Sequence, residues 1–313
     1  MTTQLVVGAG PIGTAVATLL AEDGQDVRLV SRSGRGPDHR GITLISADAA
    51  DTQRLTDLAT GTATVFNCVN PAYHRWPTDW PPIAASLLAA AERSGAVLVT
   101  ASNLYGYGPV DGPMTEDLPL AATGSKGRVR AAMFRDALAA HEAGRVRITE
   151  VRGSDYVGPG AESHLGERVV PRVLAGRKAS VVGSADQPHS WTYTLDMARM
   201  LVTAGADERA WGRAWHAPSN APRTQREAVA DLAAVAGVRP VGVSVAPAAA
   251  LALLGLVNPT VRELKETLYQ FERPFVLDSS AAQQTFGLTP TPWPQVLEST
   301  LRSYGWSGTA AAA

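Results

Sequence analysis

Cysteine is nearly absent from this chain, with Cys68 the single example. One thiol excludes an intrachain disulfide framework and any cysteine-based metal cluster. Its place in the apolar run Thr64 to Val69 predicts a buried, inert side chain. Net charge is also lacking. Lys and Arg number 28 against 29 Asp and Glu, which leaves no electrostatic footprint for nucleic acid or an anionic membrane. The six histidines are dispersed. Without an HExxH or a carboxylate cluster at ligand spacing, no metal site is expected. Long hydrophobic runs are missing too: the longest, Val245 to Val257, contains Pro247 and is too short to span a bilayer. No basic segment precedes the first apolar run, so no secretory signal is read and a cytoplasmic protein is expected. The closing Thr309 to Ala313 reads as a frayed tail.

What is present starts at residue 4. Gln4 to Gly8 is a short, β-branched apolar run. Gly8-Ala-Gly-Pro-Ile-Gly13 follows, then a helical segment from Thr14 to Glu22 and a second apolar run from Asp26 to Val30. Strand, glycine turn, helix and strand make one βαβ unit that fits a dinucleotide. Gly8 permits the tight turn, Gly10 lets a pyrophosphate approach the backbone, and Gly13 lets the helix pack on the strand. Pro11 occupies the first helical position, where its missing N–H costs nothing. The amides of the helix start, at Ile12 and beyond, then face an anion.

The tip of the second strand selects the coenzyme. A carboxylate there would hold the ribose 2′-hydroxyl of NAD. The chain has Ser31-Arg32-Ser33 instead: a guanidinium and two hydroxyls suited to a 2′-phosphate, with no carboxylate to repel it. This points to NADP rather than NAD.

With 313 residues, 45% of them apolar, the chain can build one large domain or two coupled ones. Further strands are expected at Ile42–Ser46, Ala63–Val69, Ala96–Thr100 and Arg145–Arg152. Helices are expected at Asp51–Ala59, Ile83–Ser94 and Lys126–Ala143. This alternation specifies an α/β fold, a Rossmann-type doubly wound parallel sheet. Ligands then sit at the carboxyl ends of the strands, which brings in Asp48 on the adenine side and Asn70 and Pro71 after the fourth strand. Past a loop at Gly153–Gly160 the pattern loosens. A helix broken at Pro171 (Ser163–Gly176), a strand at Ala179–Val182, a helix at Thr194–Ala204 capped by Thr194, a strand at Arg213–Ala217 and a helix at Thr224–Ala236 suggest a smaller, mostly helical substrate lobe. The division expected is 1–160 for the dinucleotide domain and 161–313 for the substrate lobe, interleaved around 179–200.

By Arg152 the chain resembles an extended short-chain dehydrogenase/reductase of the NAD-dependent epimerase/dehydratase family. Five segments carry the resemblance: Gly8 to Gly13, Thr100-Ala-Ser-Asn-Leu-Tyr-Gly106, Thr115 to Pro119, Val151-Arg-Gly-Ser-Asp-Tyr-Val-Gly-Pro159 and His189 to Ala198. The resemblance implies a nicotinamide cofactor, a small-molecule substrate and, often, a homodimer. The family uses a Ser or Thr on the fifth strand with a Tyr and a Lys four residues apart. Here that strand position is Ala101, and no tyrosine occurs between Tyr107 and Tyr156. By spacing, Lys126 stands at the Tyr position and Arg130 at the Lys position. One helical turn separates them. A guanidinium that cannot titrate beside a partly desolvated amine would make Lys126 an acid or base near neutral pH. The competing role for both residues is to hold cofactor phosphate or ribose. Ser102, Tyr105 and Tyr107 leave the fifth strand on the ligand side and are further proton-handling candidates.

Tyr73, His74, Trp76 and Trp80 crowd the segment after the fourth strand of a chain only 6% aromatic, and are expected to wall a substrate pocket or to pack against the other lobe. Asp155, Tyr156, His164, His189 and Trp191 are further substrate-side candidates by family position. Arg168, Arg172, Arg177 and Lys178 stand where a diphosphate would be held or where a helix face is merely solvated. The function expected is an NADP-dependent oxidoreductase or epimerase-like enzyme with an altered Ser-Tyr-Lys site, acting on a small hydroxyl or carbonyl compound. The alternatives are a non-catalytic NADP-binding sensor or scaffold and a redox-neutral isomerase or lyase that retains its cofactor.

Overall fold

The computed structural model describes residues 2–247, 263 and 265–308. Most of the Val245–Val257 stretch and all of the Thr309–Ala313 tail lie outside the described residues. Among the described residues no helix is long and apolar enough to cross a membrane.

The first half alternates as expected: β1 (Thr3–Val7), α1 (Pro11–Glu22), β2 (Asp26–Ser31), β3 (Ile42–Ser46), α2 (Thr52–Ala59), β4 (Thr62–Asn67), α3 (Trp76–Ser94), β5 (Val97–Asn103), α4 (Ser125–Glu142) and β6 (Arg147–Gly153). Beyond these come β7 (Asp155–Val157), α5 (Val170–Leu174), β8 (Ala179–Val181), β9 (Trp191–Tyr193), α6 (Thr194–Ala206), β10 (Arg213–His216), α7 (Gln225–Ala236) and β11 (Val243–Val245). The central sheet has seven strands in the order β10-β6-β5-β4-β1-β2-β3, all parallel. Its strands read as continuous apolar runs because both faces are covered. Val6, Phe66, Val99 and Val151 join α1 and α6 on one face. Leu5, Val65, Leu98 and Ile148 join α2, α3 and α4 on the other.

The seventh strand comes from residues 213–216. The second half of the chain therefore completes the sheet of the first. A separate cluster around Val170, Val181, Trp191, Leu232 and Leu297 forms the core of the C-terminal lobe.

Several local expectations are revised. α3 begins at Trp76, not Ile83, although Pro81 and Pro82 lie inside it; the proline φ suits a helix, and only the amide donors are lost. The 153–160 loop contains β7, paired in parallel with β9. Thr194 does not cap α6, whose N-cap is Tyr193 with no side-chain bond. Thr224 does cap α7, in a capping box with Glu227. The segment before Pro171 is a π-helical turn, His164–Val169, running into α5. A wide turn there is consistent with a ring that has no amide to donate.

Tyr107 was expected to reach the ligand side, and instead ties the lobes together in the interior. Its hydroxyl accepts from Arg152 Nη1 at 2.7 Å and lies 2.8 Å from His216 Nε2. The His216 Nδ1–H faces the Asp278 carbonyl at 2.8 Å. Glu150 holds Arg152 at 2.7 Å from behind, and Glu116 accepts the His216 amide at 2.9 Å. Burial pushes the Tyr107 phenol up to about 12, with Arg152 acting in the opposite sense. Desolvation lowers the pKa of His216, against the opposing charge of Glu116.

Two outcomes follow for denaturation experiments. Tyr107→Phe leaves buried partners unsatisfied and costs about 1–3 kcal/mol of stability, with nucleotide affinity unchanged. A neutral His216 in the fold means stability is full above roughly pH 6.5, the unfolded histidine value, and falls as pH drops below it. His216→Gln flattens that acid limb; an equally steep limb in the variant would contradict this origin.

Candidate active site

A cleft of about 990 Å³ runs along the carboxyl ends of the strands, where the strand order reverses between β1 and β4. At its centre Gly8 has φ +107°, and a Cβ there would lie 2.4 Å from the Cys68 carbonyl oxygen. Only glycine fits both demands. A Cβ at Gly10 would meet nothing within 4 Å, so that backbone faces open cleft. One at Gly13 would lie 1.8 Å from the Gly8 oxygen; Gly13 seats α1 and does not line the cleft. α1 starts at Pro11 with no side-chain cap from Gly10, which leaves first-turn amides free for an anion. Ile12, Asn70 and Pro71 also line this stretch, and Cys68 borders it. Burial pushes its thiol up to about 12, away from thiolate chemistry.

At one end of the cleft stand Ser31, Arg32 and Ser33, joined by Arg35 and Gly36. The Arg32 backbone is fixed by Ser46 Oγ, which donates to its carbonyl at 3.0 Å. Its guanidinium is exposed and has no protein partner among the described residues. Arg35 was read only as part of a loop; the glycines on both sides of it were the available signal. Asp48 lines the same end, its carboxylate accepting the Ala50 amide at 2.9 Å.

At the other end, α3 and α4 deliver a buried cation. The Arg130 guanidinium lies 4.7 Å from the Trp76 ring and 4.3 Å from the Trp80 ring. The two rings are nearly perpendicular, at 84°, and contacts of this kind stabilise a desolvated cation by about 2 kcal/mol or more. Nη1 reaches the Ala101 carbonyl at 3.5 Å, and Nε has no partner among the described residues. Trp76 borders the cleft and donates from Nε1 to the Pro71 carbonyl at 2.9 Å. Trp80 is wholly buried and lies outside the cleft lining, as a seat for Arg130 and not as a substrate wall.

Ala101, Ser102, Tyr73, Tyr105 and Tyr156 surround Arg130. The Tyr73 and Tyr105 hydroxyls are 2.8 Å apart, and Tyr156 donates to the Ser102 carbonyl at 2.7 Å. Burial raises the pKa of all these phenols. Ser102 Oγ and Ser154 Oγ are buried without a partner among the described residues.

Lys126 occupies a different environment from the one expected. It is 1% exposed, and its ammonium lies 2.5 Å from Glu263 and 3.3 Å from Glu266. The Lys126 amide donates to the same Glu266 at 2.6 Å. Two carboxylates, rather than Arg130 alone, set its electrostatics. The Tyr73 ring, 5.8 Å from Nζ, borders the cleft where Lys126 does not.

On the substrate side Asp155 faces the cleft, and His189 stands behind it. His189 Nε2 is 2.7 Å from Asp155 Oδ2, and Nδ1 is 3.1 Å from the Gln270 carbonyl. Both ring nitrogens thus face oxygen atoms, which fixes the plane of the ring. The ring is enclosed by Phe271, Phe275 and Trp191. Trp191 is buried, donating to the Arg223 carbonyl at 3.1 Å, and neither ring borders the cleft. His164 packs edge-on against Phe271, and burial lowers its pKa. His74, Arg168, Arg172, Arg177 and Lys178 are exposed and line no part of the cleft. Among the described residues no group of three His, Cys, Asp or Glu is placed to hold a metal ion.

These residues fit a dinucleotide. The glycine cradle and helix start suit a diphosphate, Arg32 and Arg35 suit a further phosphate, and Arg130 Nε, Ser102 Oγ and Ser154 Oγ wait for partners at the opposite end. Comparison with known proteins agrees. Residues 4–215 match the model of the NAD dependent epimerase/dehydratase family. No curated protein matches in sequence. Among solved structures the chain is similar to UDP-glucose 4-epimerase from Thermotoga maritima with UDP-glucose, at 17% identity and TM-score 0.79, over 97% of this chain and 99% of that one. It is also similar to a dTDP-glucose 4,6-dehydratase double mutant from Streptomyces venezuelae with NAD bound, at 18% identity and TM-score 0.77, over 98% of each chain. MoeE5 in complex with UDP-glucuronic acid and NAD is 24% identical, with TM-score 0.75, over 97% of this chain and 99% of that one. These likenesses show a shared fold, and the match over two thirds of the sequence shows descent: the chain belongs to the NAD-dependent epimerase/dehydratase family, of the extended short-chain dehydrogenase/reductase type.

Proposed function

We propose that this protein is an NADP-dependent oxidoreductase or epimerase-like enzyme acting on a small hydroxyl or carbonyl compound through an altered Ser-Tyr-Lys site. The observation that carries this is one continuous cleft with guanidinium groups at the tip of β2 and a buried guanidinium at the reaction end whose Nε–H, like the β2-tip groups, has no partner among the described residues. The bound coenzyme would supply or accept hydride at its nicotinamide ring. Gly8 to Ile12 hold the diphosphate; Ser31, Arg32 and Ser33, with Arg35, hold the 2′-phosphate. Asp48 borders the adenine, and Asn70 and Pro71 flank the coenzyme's middle. Arg130 and Ser102 hold the nicotinamide ribose, the task the family gives to lysine.

Two of the similar structures named above, MoeE5 and the dTDP-glucose 4,6-dehydratase double mutant, contain NAD. The choice of NADP here rests on Arg32 and on the absence of a carboxylate from Ser31-Arg32-Ser33. Lys126 serves as an anchor for the segment carrying Glu263 and Glu266, and through it places Tyr73. Tyr73, Trp76 and Asp155 meet the substrate, with His189 orienting Asp155. Assembly as a homodimer and a cytoplasmic setting go with this assignment.

Fluorescence titration of the purified protein tests the coenzyme assignment. NADPH binds at least about tenfold tighter than NADH, and Arg32→Glu removes that preference; equal affinities in the unaltered protein would overturn the choice of NADP. Lys126→Met separates anchoring from cofactor contact. It lowers the melting temperature, because Glu263 and Glu266 lose their cation, and leaves the NADPH dissociation constant within about twofold. Unchanged stability with lost affinity would return Lys126 to the cofactor.

A further inference from the structure

We propose that Tyr156, from β7, is the catalytic proton donor that the position of Lys126 no longer supplies. This rests on the oxidoreductase assignment above and adds the residue that handles the proton. Lys126 is withdrawn into its two ion pairs, and Ala101 offers only a methyl group where a hydroxyl is expected. A phenol has entered the space from the neighbouring strand.

Glycine makes that entry possible. A Cβ on Gly153 would lie 2.8 Å from Tyr156 Cε1 and 2.9 Å from its hydroxyl oxygen. Without it the ring folds back over the end of β6 and packs against the cluster that contains Ala101 and Cys68. The hydroxyl thereby reaches the end of β5, 2.7 Å from the Ser102 carbonyl, on the wall of the cleft. Arg130 lines the same wall. Burial disfavours the phenolate of Tyr156, and the charge of Arg130 favours it. A tyrosine and a permanent cation are thus paired again, from different elements of the fold.

The other phenols at this end are less free. Tyr73 and Tyr105 bond to each other, and Tyr73 stacks on Trp76 at 5.0 Å. Tyr156 spends its one hydrogen on a main-chain carbonyl, and giving it to a substrate oxygen exchanges one acceptor for another. In the reducing direction the bound reduced coenzyme would be oxidised, its C–H bond breaking as the substrate carbon gains that hydride; the substrate oxygen takes the Tyr156 proton, and the C=O π bond is lost as C–H and O–H bonds form. The phenolate faces Arg130 and regains its proton from water. Oxidation is the reverse. Cys68, Tyr73 and Asp155 also face Tyr156, and each opposes its ionisation; Arg130 is the cation that offsets them.

Tyr156→Phe tests the assignment, with Tyr304→Phe, outside the cleft, as comparator and a panel of aldehydes and ketones as substrates. Tyr156→Phe binds NADPH within about twofold of the unaltered protein and loses roughly 100-fold or more in kcat; Tyr304→Phe keeps most of it. A second readout needs no turnover. The tyrosinate absorbance difference between the unaltered protein and Tyr156→Phe appears at a pH lower by about one unit or more when NADP⁺ is added, since a nicotinamide cation bound at this end of the cleft would favour the phenolate. Comparable turnover by Tyr156→Phe, or no coenzyme-dependent shift, overturns the assignment while leaving the oxidoreductase reading intact. An unaltered protein that binds NADPH and reduces nothing in the panel overturns the oxidoreductase reading itself.

Discussion

The close approach of Gly8 to the Cys68 carbonyl fixes the geometry on which the cleft depends. It joins the ends of β1 and β4 at the point where the sheet order reverses. A side chain at Gly8 would force these ends apart, and one at Gly13 would lift α1 off the strand. With both absent, α1 points its first turn into the cleft with unsatisfied amides. The Ser31–Ser33 tip lies on one side of this point and the end of β5 on the other. A dinucleotide with its diphosphate on the helix start would therefore span from Arg32 to Arg130.

The second constraint is a buried cation with little to neutralise it. Arg130 is 6% exposed and makes no ion pair among the described residues; Glu150, its strongest favourable charge, is bound to Arg152. Two indole faces and a long contact to Ala101 are what hold it. Such a site is stable enough to persist and still short of donors' partners, which is the condition for recruiting a ligand. The tryptophans thus act on function indirectly, through the charge they hold in place.

How much of this was legible in the sequence divides by distance along the chain. The glycine turn and the parallel sheet were readable because strand, turn and helix are neighbours in sequence, and each residue type has a local reason. Arg130 was singled out because it stands four residues after Lys126, at the lysine position that the family resemblance implies, again a local pattern. The partners were not readable. Glu263 and Glu266 lie about 140 residues from Lys126, and nothing local distinguishes a paired lysine from a catalytic one. Tyr107 leaves β5 beside Tyr105 yet turns inward, because Arg152 and His216 wait there. Gly153 reads as an ordinary loop glycine until Tyr156 is seen lying across it.

A structure of the protein with NADP⁺ bound is the most direct measurement of the central claim, that one cleft binds the phosphorylated coenzyme from Arg32 to Arg130. The account predicts the 2′-phosphate against Ser31, Arg32 and Ser33, the diphosphate on the amides after Gly10, and the nicotinamide ribose on Arg130 with the ring beside Tyr156. A coenzyme whose 2′-phosphate points into solvent, or whose ring lies away from Arg130 and Tyr156, would contradict it.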